Sequence, residues 1–306
     1  MGPMANTPSV AAEPWSPDSL GSIRLPPGPS CTRMGALFIP MIRPMQSSFR
    51  ARTVDGVTFL ECAPLREAGF VHAFSTRSSG ESAEPFDSLD LQRPGAAPER
   101  REELERNTRR FLSAIGLGQR GLADAQQVHG KLVLQPTAEG LCGAGDALVA
   151  DPGGPAIGVR SADCVTVLIA DRVTGRVAAI HAGWRGVVAG VVHAAIRALR
   201  DRGSPCEALL AAVGPAISAS RFEVGPEVVS ALVAADLGEC ATPTAGAKAF
   251  ADLERAVCLQ LAREGLAASS VHPCGCCTAG EPARFFSHRR DAGLTGRMLS
   301  VIAPRG

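Results

Sequence analysis

Apolar and polar positions alternate along the chain in a way that separates short buried strands from amphipathic helices. Residues 165–170 and 176–180 are apolar runs rich in β-branched side chains, and the segment 171–175 between them has the composition of a tight turn. This pattern is typical of two buried strands paired antiparallel. The same reasoning predicts strands over residues 69–76, 147–150, 156–159 and 209–213, and a strand pair or a strand bent at Gly130 over residues 125–134.

Helices are predicted where apolar residues recur every three or four positions. Residues 99–115 form a charged, amphipathic segment that Gly116 closes, and residues 187–200 form a second one. Further helices are predicted over residues 226–235 and 249–264. The mixed order of strands and helices predicts an α/β or α+β fold, and because the composition does not break, we expect one domain over residues 51–306.

Composition and charge narrow the class of protein. Residues 1–50 are rich in proline without any sustained period, so we expect a disordered segment or an over-extended translation start. No basic start followed by an apolar stretch marks a secretory signal, and the ten cysteines are interpreted as reduced thiols of a cytoplasmic protein. A net charge of +1 argues against nucleic acid as a partner, and no apolar run is long enough to span a membrane.

Three polar side chains lie where predicted strands end, namely His129, Cys164 and His181. Cys164 comes just before the first strand of the antiparallel pair and His181 just after the second, so the turn brings them to the same open end. His129 lies beside Gly130, and spacing alone does not show that it joins them. Small neighbours at strand ends are typical of positions that carry a site.

Two chemistries fit a cysteine beside a histidine. Two imidazoles and a thiolate could bind Zn²⁺ and leave a fourth position for water or substrate. Alternatively, Cys164 could be a nucleophile with His181 as its base. From the spacing alone, a zinc site, a nucleophilic cysteine and the absence of any site all remain open. His72, in a strand, and His193, in a helix, are expected to be structural.

Arginines near both ends of the domain are candidate anion ligands. Arg289, Arg290 and Arg297 lie close to Asp291, and Arg77 lies in a polar loop. Guanidinium groups bind phosphate through two parallel hydrogen bonds. The alternative is that these arginines form internal ion pairs in solvated turns.

A cysteine-rich segment at residues 273–277 matches half of the nucleobase zinc-deaminase pattern. The other half, H-x-E, is missing because none of the six histidines is followed two positions later by glutamate, so we exclude that family. A separate structural zinc site at Cys274, Cys276 and Cys277 is disfavoured, since adjacent cysteines fit tetrahedral ligation poorly. No phosphate-binding loop of the G-x-x-x-x-G-K type occurs.

Several segments together make the chain similar to the YfiH-like family, whose members are called laccase-domain or polyphenol oxidase proteins and are now described as purine nucleoside phosphorylases. The most specific are Ser161-Ala-Asp-Cys164 and Ala179-Ile-His-Ala-Gly-Trp-Arg-Gly186. The other matching segments, in family order, are Phe74-Ser-Thr-Arg77, Gln127-Val-His-Gly130, Asp146-Ala-Leu-Val149, Val213-Gly-Pro-Ala-Ile217, Phe222-Glu-Val-Gly225, Cys277-Thr278, Phe285-Phe-Ser-His-Arg-Arg-Asp291 and Thr295-Gly-Arg297.

The resemblance implies a fold, a metal and an activity. The fold is a single layered α-β-β-α domain similar to the catalytic domain of cytotoxic necrotizing factor. The zinc ligands would be His129, Cys164 and His181. The implied reactions are phosphorolysis of adenosine, inosine and S-methyl-5′-thioadenosine, and hydrolytic deamination of adenosine. We expect a monomer whose partners are a small-molecule nucleoside and phosphate.

Site roles are assigned from motif position and charge. Asp163, Cys164 and Arg289 are the candidate catalytic residues, with Asp163 as a proton carrier in deamination. Arg77, Arg185 and Arg290 are the candidate residues for binding substrate or phosphate.

Three rival hypotheses remain at this point. The family's older copper-oxidase label implies four coppers, for which six histidines are too few. The relation to necrotizing factor keeps open a metal-free hydrolase or deamidase that uses Cys164 and His181. A non-enzymatic protein would have a closed structural zinc site, with Cys142 as a candidate fourth ligand. His288, where the family often has tyrosine, bears on substrate preference.

Overall fold

A computed structural model describes residues 48–306 of the chain, which belong to one compact unit. The prediction of a disordered or over-extended segment covers residues 1–50, of which residues 1–47 lie outside the described residues. The first strand begins at Phe49, just before the expected start of the domain at residue 51.

The described chain forms sixteen strands and six α-helices. The strands are β1 Phe49–Val54, β2 Val57–Cys62, β3 His72–Ser75, β4 Leu122–Gln126, β5 Val133–Leu134, β6 Gly140–Ala144, β7 Ala147–Ala150, β8 Ala156–Ser161, β9 Val165–Asp171, β10 Val177–Ala182, β11 Leu209–Val213, β12 Glu223–Val224, β13 Ala241–Pro243, β14 Ala249–Ala251, β15 Val271–Pro273 and β16 Met298–Ile302. The helices are α1 Ala63–Glu67, α2 Arg101–Ala114, α3 Trp184–Ala189, α4 Val191–Arg200, α5 Pro226–Ala234 and α6 Leu253–Arg263.

Two large mixed sheets carry most of these strands. The first has the order β1-β2-β3-β16-β8-β4-β6, and the second has the order β15-β11-β9-β10-β7-β5. A small third sheet, β12-β14-β13, completes the set. Because neighbouring strands are often distant in sequence, residues from widely separated parts of the described chain meet at the sheet ends.

Hydrophobic side chains divide the molecule into α-β-β-α layers, as expected for this fold class. One core cluster lies between the two sheets and contains Phe74 and Ile157 from the first sheet and Leu168 from the second. A second cluster joins the outer face of the second sheet to α4 and α6. A third joins α2, through Phe111, to the outer face of the first sheet.

Strand β9 shows why the central strands are continuously apolar. Val167 and Ile169 face the helices, whereas Leu168 and Ala170 face the other sheet. Successive side chains of a strand point to opposite faces, and here both faces are covered. The pattern that predicted a buried strand over residues 165–170 is therefore confirmed.

The antiparallel pair of β9 and β10 is also confirmed. Its register sets His181 opposite Thr166 and Ala182 opposite Val165. The turn between the strands ends at Gly175, whose φ of 81° favours glycine. Cys164 immediately precedes Val165, so it lies at the open end of the pair beside His181.

Three predicted elements differ from the structure in where they begin, how they divide or how they pair. The helix expected over residues 249–264 begins only after β14, because the Asp252 side chain accepts a hydrogen bond from the Arg255 amide at 2.9 Å and caps the helix there. The helix expected over residues 187–200 is two helices, separated at Gly190 with φ 84°. The strand pair or bent strand expected over residues 125–134 is the end of β4 and the whole of β5, which the segment 127–132 separates and which belong to different sheets.

Two further features of the described residues bear on class. Between residues 48 and 306, no helix combines the length and apolar character that a membrane crossing requires. The nine cysteines in that range are all free thiols.

The inter-sheet core generates a stability prediction. Leu168→Ala, which leaves a cavity at a fully buried position between the sheets, should lower the free energy of unfolding by about 2–5 kcal/mol. The matched control is Leu294→Ala, at a position 62% exposed, which should change it by less than about 0.5 kcal/mol. Urea unfolding measures both, and similar losses in the two variants would contradict the assigned layers.

Candidate metal centre

The structure brings His129, Cys164 and His181 together. The atoms of these side chains that could bind a metal ion all lie within 4.8 Å of one another. The two imidazole rings meet edge to face, with centroids 4.9 Å apart and an interplanar angle of 82°. The three residues come from the loop after β4, the start of β9 and β10 respectively.

His129 reaches the cluster because a buried carboxylate folds its loop. The two oxygens of Asp146, which is 0% exposed, accept hydrogen bonds from the amides of Val128, His129 and Gly130 at 3.2, 2.9 and 2.7 Å. Three consecutive N–H groups converging on one anion hold His129 at a φ of 60°, which few non-glycine residues adopt.

The same carboxylate orients the second imidazole. Asp146 Oδ1 lies 2.8 Å from His181 Nδ1, and the His181 amide donates to the Asp146 carbonyl at 2.7 Å. With Nδ1 used in this way, Nε2 is left as the ligand atom, an arrangement typical of metal-binding histidines. Asp146 was not among the site residues predicted from sequence, where it appeared only inside a matching family segment.

Cys164 and His181 form a charged pair in the absence of metal. Burial opposes ionisation of Cys164, but hydrogen bonds and charge from His129 and His181 outweigh it and lower its pKa to about 6. Burial likewise opposes protonation of His181, yet hydrogen bonds and charge from Asp146 and Cys164 raise its pKa to about 9. At neutral pH the cluster therefore contains a thiolate and an imidazolium.

Glycine is required next to the cluster. A Cβ atom at Gly183 would lie 2.8 Å from His129 Cδ2 and 3.0 Å from Cys164 Sγ. Such contacts are closer than packed atoms tolerate, so a larger residue would push two of the three ligands apart. The Ala182-Gly183-Trp184 turn thus combines a strand end with room for converging side chains.

The cluster faces a cavity of about 560 Å³. His129, Cys164 and His181 all line it, so a metal ion held by them would face a space of the size that small-molecule ligands occupy. The remaining lining residues are Gln92, Arg93, Ala96, Ala125, Gln126, Gln127, Arg160, Ser161, Ala162, Asp163, Trp184, Arg185, Ile217, Phe222, Leu253, His288, Arg289 and Arg297.

Asp163 lines this cavity in an unusual conformation, with φ 100°. One carboxylate oxygen accepts a hydrogen bond from Thr278 Oγ1 and the other accepts one from the Arg289 amide, both at 2.6 Å. Its carbonyl accepts one from the Ile217 amide at 2.9 Å. These bonds tie the residue before Cys164 to two other segments, so the geometry supports a positioning role more directly than a proton carrier.

Two of the predicted phosphate-binding arginines lie elsewhere. Arg77 donates to the Asp87 carboxylate at 2.9 Å and to the Pro282 carbonyl at 3.1 Å. Arg290 binds the Asp291 carboxylate through Nε and Nη2, at 2.7 and 2.8 Å. Neither residue lines the cavity, and protein partners use the donors of both, which argues against their predicted role as phosphate ligands.

The other two candidates do line the cavity. The Arg289 guanidinium donates to the Glu223 carbonyl at 2.7 Å and lies 4.9 Å from the ring of Phe222. The Arg185 guanidinium lies 4.4 Å from the ring of Trp184. Sequence reasoning missed Arg93 and Arg160, because no motif or period marks them.

The remaining cysteines and histidines have other environments. Within residues 48–306, no second group of three or more metal-binding side chains occurs, so Cys274, Cys276 and Cys277 do not form a closed zinc site. Cys142 is outside the His129 group, and its thiol donates to the Gly140 carbonyl at 3.4 Å. Both ring nitrogens of His72 are hydrogen-bonded to backbone atoms, as expected for a structural histidine.

Fold and site together define a class: a layered α-β-β-α protein with two histidines and one cysteine that could bind a metal ion beside a cavity. The chain belongs to the family described as "Multi-copper polyphenol oxidoreductase laccase", whose model matches residues 71–305. The resemblance to YfiH-like proteins found in the sequence is thereby confirmed.

Similar proteins carry more than one name. The chain is 39% identical over 240 residues to "Purine nucleoside phosphorylase YfiH" of Escherichia coli, covering 76% of this chain and 93% of the relative. It is 36% identical over 231 residues to "Purine nucleoside phosphorylase" of Deinococcus radiodurans, covering 76% and 88% respectively. Among solved structures, YlmD from Geobacillus stearothermophilus matches with a TM-score of 0.72 and 28% identity, over 81% of this chain and 96% of that one.

The double role of Asp146 predicts a large effect of a small change. Asp146→Asn should weaken metal binding by about 10–100-fold, because the amide cannot serve both the loop amides and His181 as the carboxylate does. The matched control is Asp151→Asn, where the carboxylate pairs with Arg176 in an exposed position. Competition titration with a chelator measures both, with circular dichroism to confirm folding; equal affinities in both variants would contradict the role.

The charged pair predicts proton release on metal binding. His181 is protonated below about pH 9 and must lose its proton to become a ligand, whereas Cys164 is already ionised above about pH 6. Zinc binding at about pH 7.5 should therefore release about one proton, and affinity should rise with pH up to about 9. Calorimetry in buffers of different ionisation enthalpy counts the protons, and a pH-independent affinity between pH 7 and 9 would contradict the pairing.

Proposed function

We propose that this protein is a zinc-dependent purine nucleoside phosphorylase that acts on adenosine, inosine and S-methyl-5′-thioadenosine and also deaminates adenosine. The observation that carries the proposal is the group of His129, Cys164 and His181 facing a cavity of about 560 Å³, in a chain whose relatives are named purine nucleoside phosphorylases. The proposal includes a monomer, as expected from the sequence, and the free cysteines of residues 48–306 support a cytoplasmic location.

The donor set supports zinc over copper. Two imidazoles and one thiolate, with a position open to a cavity, are donors of the kind that hold catalytic zinc, and the ion would supply Lewis-acid chemistry when bound. A copper site with these donors usually adds a weak axial ligand, most often methionine; among residues 48–306 no methionine lines the cavity, whereas Gln126 and Gln127 do. Only two histidines of residues 48–306 join the group, too few for several coppers.

Phosphorolysis requires the cavity to bind a nucleoside and phosphate at the same time. In this reaction the C1′–N bond of the nucleoside breaks, a phosphate oxygen bonds to C1′, and the purine leaves with a proton. The aromatic side chains of Trp184 and Phe222 offer apolar surface for a purine, and Arg185 and Arg289 offer positive charge for phosphate.

Asp163 supports this arrangement by position. Its carboxylate accepts a hydrogen bond from the Arg289 amide at 2.6 Å, and Asp163 is the neighbour of Cys164 in sequence. A single residue thus holds an arginine of the cavity and a ligand of the metal centre in a fixed relation.

In deamination, by contrast, water replaces the 6-amino group of adenosine, giving inosine and ammonia.

A second candidate function is favoured by one observation. The pKa of Cys164 is lowered to about 6 by hydrogen bonds and charge from His129 and His181, which overcome the opposing effect of burial. A thiolate beside an imidazolium is the resting state of cysteine hydrolases. The alternative hypothesis is therefore a metal-free hydrolase or deamidase with Cys164 as the nucleophile.

Product analysis with two variants tests the proposal. The zinc-loaded protein should convert adenosine and phosphate to adenine and ribose 1-phosphate, and should form inosine when phosphate is left out. Cys164→Ser should lower kcat/KM by about 100-fold or more, because a weaker ligand replaces the thiolate. Cys142→Ser, which changes a thiol outside the group, is the matched control.

Chelation separates the two candidate functions. If a chelator abolishes turnover and zinc restores it, the metal-dependent reading stands. Turnover that survives chelation but is lost in Cys164→Ser would favour the metal-free hydrolase. The absence of adenine, hypoxanthine and inosine from the zinc-loaded wild-type protein would overturn the nucleoside proposal.

A further inference from the structure

The cavity beside the metal centre carries unbalanced positive charge. Among residues 48–306, five arginines line it, and Asp163 is the only carboxylate of that lining. Both oxygens of Asp163 already accept hydrogen bonds, from Thr278 and from the Arg289 amide. Among the five arginines, Arg160 has a carboxylate partner in Asp124. The other four have no carboxylate within 4.0 Å in residues 48–306, which leaves this space suited to an anion.

Two of these arginines are positioned by one buried carboxylate. Asp90 is 0% exposed, and its Oδ1 accepts hydrogen bonds from the amides of Gln92 at 3.0 Å and Arg297 at 2.9 Å. The Leu91 amide also donates to the Arg297 carbonyl at 3.0 Å. The backbone next to Arg93 and the backbone of Arg297 therefore form a single hydrogen-bonded unit at the wall of the cavity.

A glycine allows this close approach. A Cβ atom at Gly296 would lie 2.7 Å from Phe286 Cζ and 3.0 Å from Asp90 Oδ1. Only a residue without a side chain lets the backbone before Arg297 pack against the carboxylate. The arrangement is thus built into the core and does not depend on a surface loop alone.

The charge of Asp90 is balanced outside the cavity. Arg100 Nη1 donates to Asp90 Oδ2 at 2.9 Å, so the carboxylate that positions the cavity arginines is neutralised by a different arginine. Within residues 48–306, the Arg297 guanidinium donates only to the carbonyls of Thr295 and Gly296, at 2.9 and 3.0 Å. The Arg93 guanidinium has no hydrogen-bond or ion-pair partner within the part of the chain that the structure describes.

We propose that Arg93 and Arg297 form the binding site for a phosphate group, free or esterified, in the cavity of the metal centre. Two half-buried guanidiniums that line one cavity without a carboxylate partner favour an anion beside them, and their planar forks match phosphate oxygens. The inference rests on the proposed function for the use of that phosphate in turnover. It replaces Arg77 and Arg290 as the phosphate ligands and adds two residues to Arg185 and Arg289.

Direct binding to the zinc-loaded protein tests the site without turnover. Titration calorimetry with inorganic phosphate, and separately with adenosine 5′-monophosphate, should give a Kd at least about tenfold higher in Arg93→Gln and in Arg297→Gln than in wild type. Arg297→Lys should recover part of the loss, since it keeps the charge but not the fork. Zinc content and the midpoint of unfolding should stay at wild-type values.

The matched control is Arg101→Gln, which removes an arginine at the exposed start of α2 that likewise has no ion-pair partner in residues 48–306. It should bind both probes as wild type does. Tight binding of the monophosphate alone identifies the group as an ester, and tight binding of inorganic phosphate identifies it as the co-substrate. Unchanged Kd values for both probes in both arginine variants overturn the site.

Kinetics distinguish failure of the site from failure of the proposed function. Loss of phosphate binding in the variants of a protein that performs no phosphorolysis would leave the site standing and remove the function. Phosphorolysis whose KM for phosphate is the same in wild type, Arg93→Gln and Arg297→Gln would leave the function standing and remove the site. Where both hold, the variants should raise KM for phosphate in phosphorolysis.

Discussion

The carboxylate of Asp146 is the contact on which the metal centre depends. It gathers three consecutive amides, which gives His129 its strained position, and it receives Nδ1 of His181, which leaves Nε2 as the ligand atom. Burial raises its pKa, but hydrogen bonds from His181 and Gly130 outweigh that effect and lower it, so the group is ionised. One buried negative charge thus determines the direction of both imidazoles and raises the basicity of one of them.

The cavity divides into two electrostatic regions. The group of His129, Cys164 and His181, with the Asp146 carboxylate behind it, favours a cation. Four arginines of the same lining have no carboxylate partner in residues 48–306 and favour an anion. One cavity thus presents groups of both kinds to a ligand.

In both regions a buried carboxylate accepts hydrogen bonds from the backbone of a loop. Asp146 and Asp90 are each 0% exposed, and each accepts amide hydrogen bonds from a loop that bears a functional side chain. Gly183 and Gly296 provide the space beside the clusters, where a Cβ atom would come within 3.0 Å of a ligand or of Asp90. Buried carboxylates are costly unless fully hydrogen-bonded, so their loops are held tightly when the bonds are made.

Local sequence determined the elements that depend on neighbouring residues. The alternation of faces in β9, the turn before β10 and the placement of Cys164 beside His181 all follow from spacing, because a tight antiparallel pair leaves one register. The motifs around His129 and Cys164 identified the family. Local pattern failed at residues 249–264, where Asp252 starts the helix late.

Only the tertiary structure decided which side chains share the cavity. Arg77 and Arg290 have the right charge and lie in family segments, yet their guanidiniums are used by Asp87 and Asp291. Arg93 carries no sequence signal and still lines the cavity. The physical reason is that a guanidinium binds whatever carboxylate the fold brings within reach, and sheets whose neighbouring strands are far apart in sequence bring together residues that no local spacing relates.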